Sequence, residues 1–182
     1  MKPVDRIGFR NWRSWVTAGA QGRVLEIGAG TGLNFAYYTR GTQVFAFDPD
    51  TSMLSEGLST ATAGAVITLT QARAEELPFP DESFDAATGT LVFCTIPDPA
   101  RALAEVRRVL RPGAPLRLVE HVRGKNPLVG GVMDAMTPLW KRIAGGCHLN
   151  RDTAQAVAAA GFQVDRVQKR WGGLLIGIEA HK

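Results

Sequence analysis

The sequence predicts an α/β fold built on a largely parallel sheet. Two observations carry this: short apolar, β-branched runs alternate with helix-length segments from residue 23 onward, and a glycine-rich turn sits at the first strand-to-helix junction. The first strand is read over residues 23–27 (RVLEI), and the strand signal returns at 43–47 (QVFAF) after a helix expected over 33–39. Asp50 is placed to cap a helix running to about residue 60, and a third strand at 66–70 completes a second crossover of similar size. A fourth strand with its loop lies within 84–93 (FDAATGTLVF). Residues 99–110 then set Ala102, Leu103, Val106, Val109 and Leu110 on one helical face, and Pro112 with Gly113 stops that helix. The fifth strand is 116–122 (LRLVEHV). Residues 123–149 lack clean periodicity apart from a partial helical pattern around 132–143. Asn150 is read as the cap of a helix through residue 159, ended by Gly161. Residues 162–167 and 174–180 are expected to close the fold as an antiparallel hairpin turning near Gly172 and Gly173.

A chain of 182 residues allows one domain, and 45% hydrophobic with 21% charged residues is the composition of an ordinary globular protein. The net charge of +4 is mild, suits an anionic or neutral ligand, and does not indicate nucleic acid. Cys94 and Cys147 are the two cysteines, with no CxxC pair, so no disulfide framework, no metal site and a reducing, cytoplasmic setting are expected. No run of 18 apolar residues predicts a transmembrane segment. Near the start, Phe9, Trp12, Trp15 and Val16 share one helical face, with Arg6, Arg10 and Arg13 among them. A helix within residues 1–20 that closes over the cleft is preferred to a weak membrane-surface contact.

The loop Glu26-Ile27-Gly28-Ala29-Gly30-Thr31-Gly32 follows a strand, where a nucleotide-binding turn belongs. Gly28 and Gly30 would let the backbone approach a ligand, and Asp48, twenty positions after Gly28 at the end of the second strand, can accept from ribose hydroxyls. Leu33 occupies the place of the third glycine of a dinucleotide fingerprint, and no Gly-Lys-Ser or Gly-Lys-Thr follows, which counts against NAD and against a P-loop. The acidic Glu26 favours a cationic ligand such as a sulfonium amino acid.

Val24 to Gly32 (VLEIGAGTG), Phe47-Asp48-Pro49-Asp50 with Met53-Leu54, Ala74 to Phe79 (AEELPF), Ser83-Phe84-Asp85 and Leu110 to Gly113 (LRPG) resemble the successive motifs of class I S-adenosylmethionine-dependent methyltransferases. That resemblance implies a Rossmann-like, doubly wound, seven-stranded sheet in the order 3-2-1-4-5-7-6 with the last strand antiparallel. It implies S-adenosylmethionine as cofactor and S-adenosylhomocysteine as product. By position, Glu26, Gly28, Ala29, Gly30 and Asn34 would line its methionine and ribose portions, Asp48 would bind the ribose, and Pro49 or Met53 would pack on the adenine. Ala74 and Glu75 would lie at the adenine edge, where Arg73 replaces the acid of many relatives and cannot accept from the adenine amino group. Gly89, Thr90 and Leu91 would contact the methionine part and open the acceptor side.

A finer similarity, through Thr90 to Thr95 (TLVFCT), Glu105 to Gly113, Glu120-His121-Val122, Trp140 and Gly146-Cys147 with Leu149 to Asp152, is to alkyl-thiol S-methyltransferases and, less closely, to phospholipid N-methyltransferases and quinone-pathway C-methyltransferases. It implies a small, fairly apolar acceptor, with a thiol favoured over an amine, a phospholipid or a quinone-like metabolite. A non-catalytic S-adenosylmethionine-binding protein is the alternative of another class, and a monomer or homodimer is expected. His121, at the carboxyl end of the fifth strand, is the candidate catalytic base for a thiol. Residues 123–149 are read as a substrate-side insertion. Within it, Met133, Met136, Leu139 and Trp140 are expected in an apolar environment, either as core or as an acceptor wall. Cys94 is expected to be buried and inert. Cys147 and His148 are adjacent, and so not at metal-ligand spacing.

Overall fold

The computed structural model describes residues 9–58, 64–143 and 145–182. Seven strands, β1 (Arg23–Ile27), β2 (Gln43–Asp48), β3 (Val66–Gln71), β4 (Ala86–Thr90), β5 (Pro115–His121), β6 (Gln163–Arg170) and β7 (Leu175–His181), form one sheet in the order β3-β2-β1-β4-β5-β7-β6. β1 to β5 pair in parallel, and β7 runs antiparallel to both β5 and β6. The helices are α1 (Arg10–Thr17), α2 (Thr51–Leu58), α3 (Pro99–Val109), α4 (Pro127–Ile143) and α5 (Thr153–Ala159).

Alternation along the strands divides the core into two faces. On one face Leu25, Ile27 and Leu118 pack with Leu103, Val106 and Val109 of α3 and Val157 of α5. On the other, Val24, Val44 and Ala46 pack with Phe35, Tyr38 and Leu54. Phe9, just before α1, and Trp12 and Val16 of α1 are buried with Val119 and Leu175. The aromatic face that a membrane contact would have used therefore lies on the protein's own sheet. Residues 1–8, including Arg6, lie outside the described residues, as do 59–63, where the second helix was expected to end.

Three expectations are corrected. The helix expected over 33–39 is only a 3-10 turn, Phe35–Tyr37. The Asn34 amide and the Tyr38 hydroxyl are drawn to Glu26, and two tyrosines and a threonine are weak helix formers. The α5 cap is Asp152, which accepts from Gln155 N at 3.1 Å, rather than Asn150. In α4 only Gly130 and Thr137 are buried. Met133 is half-buried, with its sulfur 3.2 Å from Gly124 N, whereas Met136, Leu139 and Trp140 are 47, 62 and 37% exposed, so they are not part of the core. No helix among the described residues is long and apolar enough to cross a membrane.

Candidate active site

The carboxyl ends of β1, β2, β4 and β5 face the same edge of the sheet, which gathers the glycine loop, Asp48, Thr90 and His121 there. Gly28 and Gly30 both have positive φ, 60° and 51°, but for different neighbours. A Cβ on Gly28 would collide with Val92 Cγ2, so this glycine admits a side chain of the β4 loop. A Cβ on Gly30 would meet nothing within 4 Å, which leaves its backbone open to a ligand. Ala29 N is tied to Phe47 O at 2.9 Å. Asp48 Oδ2 accepts from Gly30 N at 3.0 Å and Oδ1 from Asp50 N at 2.9 Å. Each carboxylate oxygen keeps acceptor capacity for a ribose hydroxyl, so the residues present fit an adenosyl group. Pro49 and Met53 are exposed beside Asp48.

Glu26 is 2% exposed and sits inside a network. Its Oε1 accepts from Asn34 Nδ2 at 2.8 Å, and its Oε2 accepts from Tyr38 OH and from Thr88. Asn34 Nδ2 also reaches Thr90 Oγ1 at 3.1 Å, and Asn34 Oδ1 accepts from Arg13 of α1 at 2.8 Å. Burial pushes the Glu26 carboxyl up from 4.5 to about 7, outweighing these hydrogen bonds and the Arg13 charge. Tyr38, Thr88 and Arg13 were not foreseen as site residues, because each lies on a separate element with no motif of its own.

A raised carboxyl has a definite consequence for stability. The native state holds the Glu26 proton more tightly than the unfolded chain, so that contribution is full below pH 4.5 and is lost as pH rises through about 7. Glu26→Gln is expected to remove a loss on the order of 2 to 3 kcal/mol between pH 5 and pH 8. Denaturant titrations of both proteins across that range test this. Parallel curves for wild type and variant would show that Glu26 does not titrate there.

On the adenine side Ala74 and Glu75 are both buried. Glu75 Oε1 lies 3.4 Å from Arg73 and 3.3 Å from Asp98 N, at the cap of α3, so it braces two loops. On the acceptor side Gly89 is enclosed by Ile27, Val92 and Leu118 rather than open to a ligand. Leu91 takes the left-handed conformation, φ 56°, with its N–H 2.7 Å from Val119 O. A branched residue there stores backbone strain, a common feature of ligand sites.

His121 Nε2 is 3.3 Å from Cys147 Sγ, and Nδ1 is buried with no hydrogen-bond partner among the described residues. Burial lowers the imidazole pKa, so the neutral ring is favoured. Cys94 is 3% exposed, and its sulfur joins the same cluster, with Cys94, His121 and Cys147 ligand atoms all within 4.8 Å of one another. Neighbouring Glu120 accepts from Val92 N and Phe93 N at 3.0 Å each, and burial pushes it up to about 7. Arg151 donates to Phe93 O and Ile96 O, and His148 N donates to Cys94 O at 2.8 Å, which stitches the segment after α4 to the β4 loop. The three cluster residues come from the β4 loop, the end of β5 and that segment. Sequence spacing carried no sign of their meeting.

The sequence pattern of the methyltransferase domain family matches residues 25–118, more than half of the chain. The chain is 34% identical to thiol S-methyltransferase TMT1B of Rattus norvegicus over 155 residues, 81% of this chain and 62% of that protein. It thus spans less than two thirds of the length of that relative. It is 38% identical to phosphatidylethanolamine N-methyltransferase of Cereibacter sphaeroides over 59% of this chain and 55% of that one. In three dimensions it is similar to an S-adenosylmethionine-dependent methyltransferase from Mesorhizobium loti, with TM-score 0.72, 15% identity, and 96 and 97% of the two chains covered. At that identity the structural likeness speaks for the fold, and the sequence matches speak for descent. The chain belongs to the class I S-adenosylmethionine-dependent methyltransferases.

Proposed function

We propose that the protein transfers a methyl group from S-adenosylmethionine to a small, fairly apolar thiol. The observation that carries the cofactor reading is the pairing of Asp48 with the open Gly30 backbone at 3.0 Å. The thiol reading is supported by the named activity of the 34% identical relative, together with the acceptor-side residues. The bound cofactor supplies a methyl group already activated on a positive sulfonium, so the protein's main tasks are alignment and exclusion of water. Asp48 holds the ribose beside the open backbone of Gly30, with Ala29 fixed behind it through Phe47. Pro49, Met53, Ala74 and Glu75 flank the adenine. Glu26, Asn34 and Thr90, with Gly28, Gly89 and Leu91 shaping the loops, form the methionine end. α1 serves as the lid, fastened through Arg13 to Asn34. His121 is the catalytic residue of the acceptor side, where its neutral ring is free to accept the proton that the acceptor thiol gives up.

The amine alternative is favoured by the phospholipid relative. Parallel assays of S-adenosylhomocysteine formation with a small alkyl thiol, an ethanolamine lipid and no acceptor decide between them. Turnover is expected with the thiol only. His121→Ala is expected to lower that rate by about 100-fold with cofactor affinity unchanged. Turnover with the ethanolamine lipid alone would replace the thiol by an amine. Cofactor binding with no turnover over a broad acceptor set would identify a binding protein.

A further inference from the structure

We infer that Cys94, His121 and Cys147 are the protein ligands of a thiophilic divalent cation, for which Zn2+ is the best fit, with a fourth position that takes the acceptor sulfur. The claim for the fourth position rests on the thiol reading above, whereas the three-ligand site stands without it. The donor set is two thiols and one imidazole, soft and borderline ligands that select Zn2+ over Mg2+ or Ca2+. The ligand atoms lie within 4.8 Å of one another, with Cys147 Sγ and His121 Nε2 at 3.3 Å. A tetrahedral Zn2+ with sulfur at about 2.3 Å and nitrogen at about 2.0 Å holds its ligand atoms about 3.5 to 3.8 Å apart, so the cluster closes on a cation with movement of about 1 Å or less.

The surroundings favour this arrangement. His121 ends β5 and is held in register opposite Leu175. Cys94 is fixed by the β4 loop, which Glu120 grips through two backbone N–H groups. Cys147 is carried by a segment tied to that loop through His148 N and Cys94 O. Two thiolates and a neutral imidazole leave the bound Zn2+ uncharged overall, which suits a buried position. Three protein ligands with an open position is the pattern of a reactive rather than a structural zinc.

An acceptor thiol reaching that position loses its proton to solvent as its S–H bond breaks and a metal–sulfur bond forms, and it is then held as a thiolate at the carboxyl edge of the sheet. On this view His121 activates the thiol as a ligand.

The test uses the full chain purified in reductant, stripped with a chelator and titrated with Zn2+ or Co2+. About one metal per chain is expected, with thiolate-to-cobalt charge-transfer absorption, and both fall below about one tenth in Cys147→Ser and in His121→Ala. Cys147 is half-buried, so its serine variant folds even where a change at Cys94 does not. Failure of the wild type to bind either ion, retention of metal by both variants, or an intact mass showing only a Cys94–Cys147 disulfide in reductant would overturn the site. Adding an alkyl thiol to the cobalt protein is expected to shift the absorption. Metal binding with no such shift overturns the fourth position and leaves the three-ligand site standing. Unchanged thiol methylation by the metal-free protein overturns the catalytic role of the metal without touching the thiol reading. Failure of thiol methylation in metal-loaded protein with an intact cobalt spectrum overturns the thiol reading, and the fourth position with it, and leaves the three-ligand site standing.

Discussion

Asp48→Ala is expected to weaken S-adenosylmethionine binding by about 100-fold, equivalent to about 2.7 kcal/mol, while leaving the free protein folded. The carboxylate is half-exposed at the end of β2, and its two oxygens already accept from Gly30 N and Asp50 N at 3.0 and 2.9 Å. Those bonds aim the remaining lone pairs at the open side of the glycine loop, so ribose hydroxyls meet a preorganised charged acceptor, the strongest ordinary kind of hydrogen bond. In the free variant both N–H groups are reached by water, and the stability loss is correspondingly small. Asp48→Asn keeps the shape but removes the charge and offers one acceptor oxygen instead of two, so about a tenfold loss is expected. Calorimetric titration of cofactor and product into the three proteins tests the series. A loss below threefold for Asp48→Ala would remove Asp48 from the ribose site.

Glycine loop and Asp48 were legible because their signal is local: a strand, a turn that tolerates positive φ, and an acid at the end of the next strand lie within 26 residues of Arg23. Strands such as β1 (RVLEI) and β5 (PLRLVEH) were legible for the same reason, being short apolar runs next to a glycine or proline. Strand order and the antiparallel β7 came through the family resemblance and match the sheet. What local reading missed was decided by tertiary partners. Phe35–Tyr37 makes only a 3-10 turn because Asn34 and Tyr38 turn inward to a buried carboxylate. Gly28 reads as a ligand-facing glycine, but its missing side chain makes room for Val92. Glu26 reads as a free charge, yet burial raises its carboxyl to about 7 and Asn34, Tyr38 and Thr88 hold it. The exposed stripe of α4 follows from the light contact that helix makes, for which periodicity gives no warning.

Trp12→Ala is expected to lower stability by about 3 to 5 kcal/mol, a large share of the roughly 5 to 15 kcal/mol typical of a domain. Trp12 is 8% exposed, stands edge-on to Trp15 with ring centroids 5.8 Å apart, and lies over β7 where a Cβ on Gly177 would come within 2.5 Å of its ring. At about 2 to 4 °C per kcal/mol, the midpoint of thermal unfolding falls by about 10 °C. The variant also loosens α1, so the Arg13–Asn34 bond weakens and Glu26 loses a compensating charge. Cofactor affinity therefore falls together with stability, although Trp12 itself is not assigned to the cofactor. The same contact is testable from the sheet side. Gly177→Ala alone is expected to be destabilising by about 1 to 3 kcal/mol through overpacking against Trp12 and Trp15. In the Trp12→Ala background most of that effect disappears, because the new methyl group enters the space the indole leaves. A double-mutant cycle reads the coupling directly, and additive losses would show that α1 does not dock on β7 in solution.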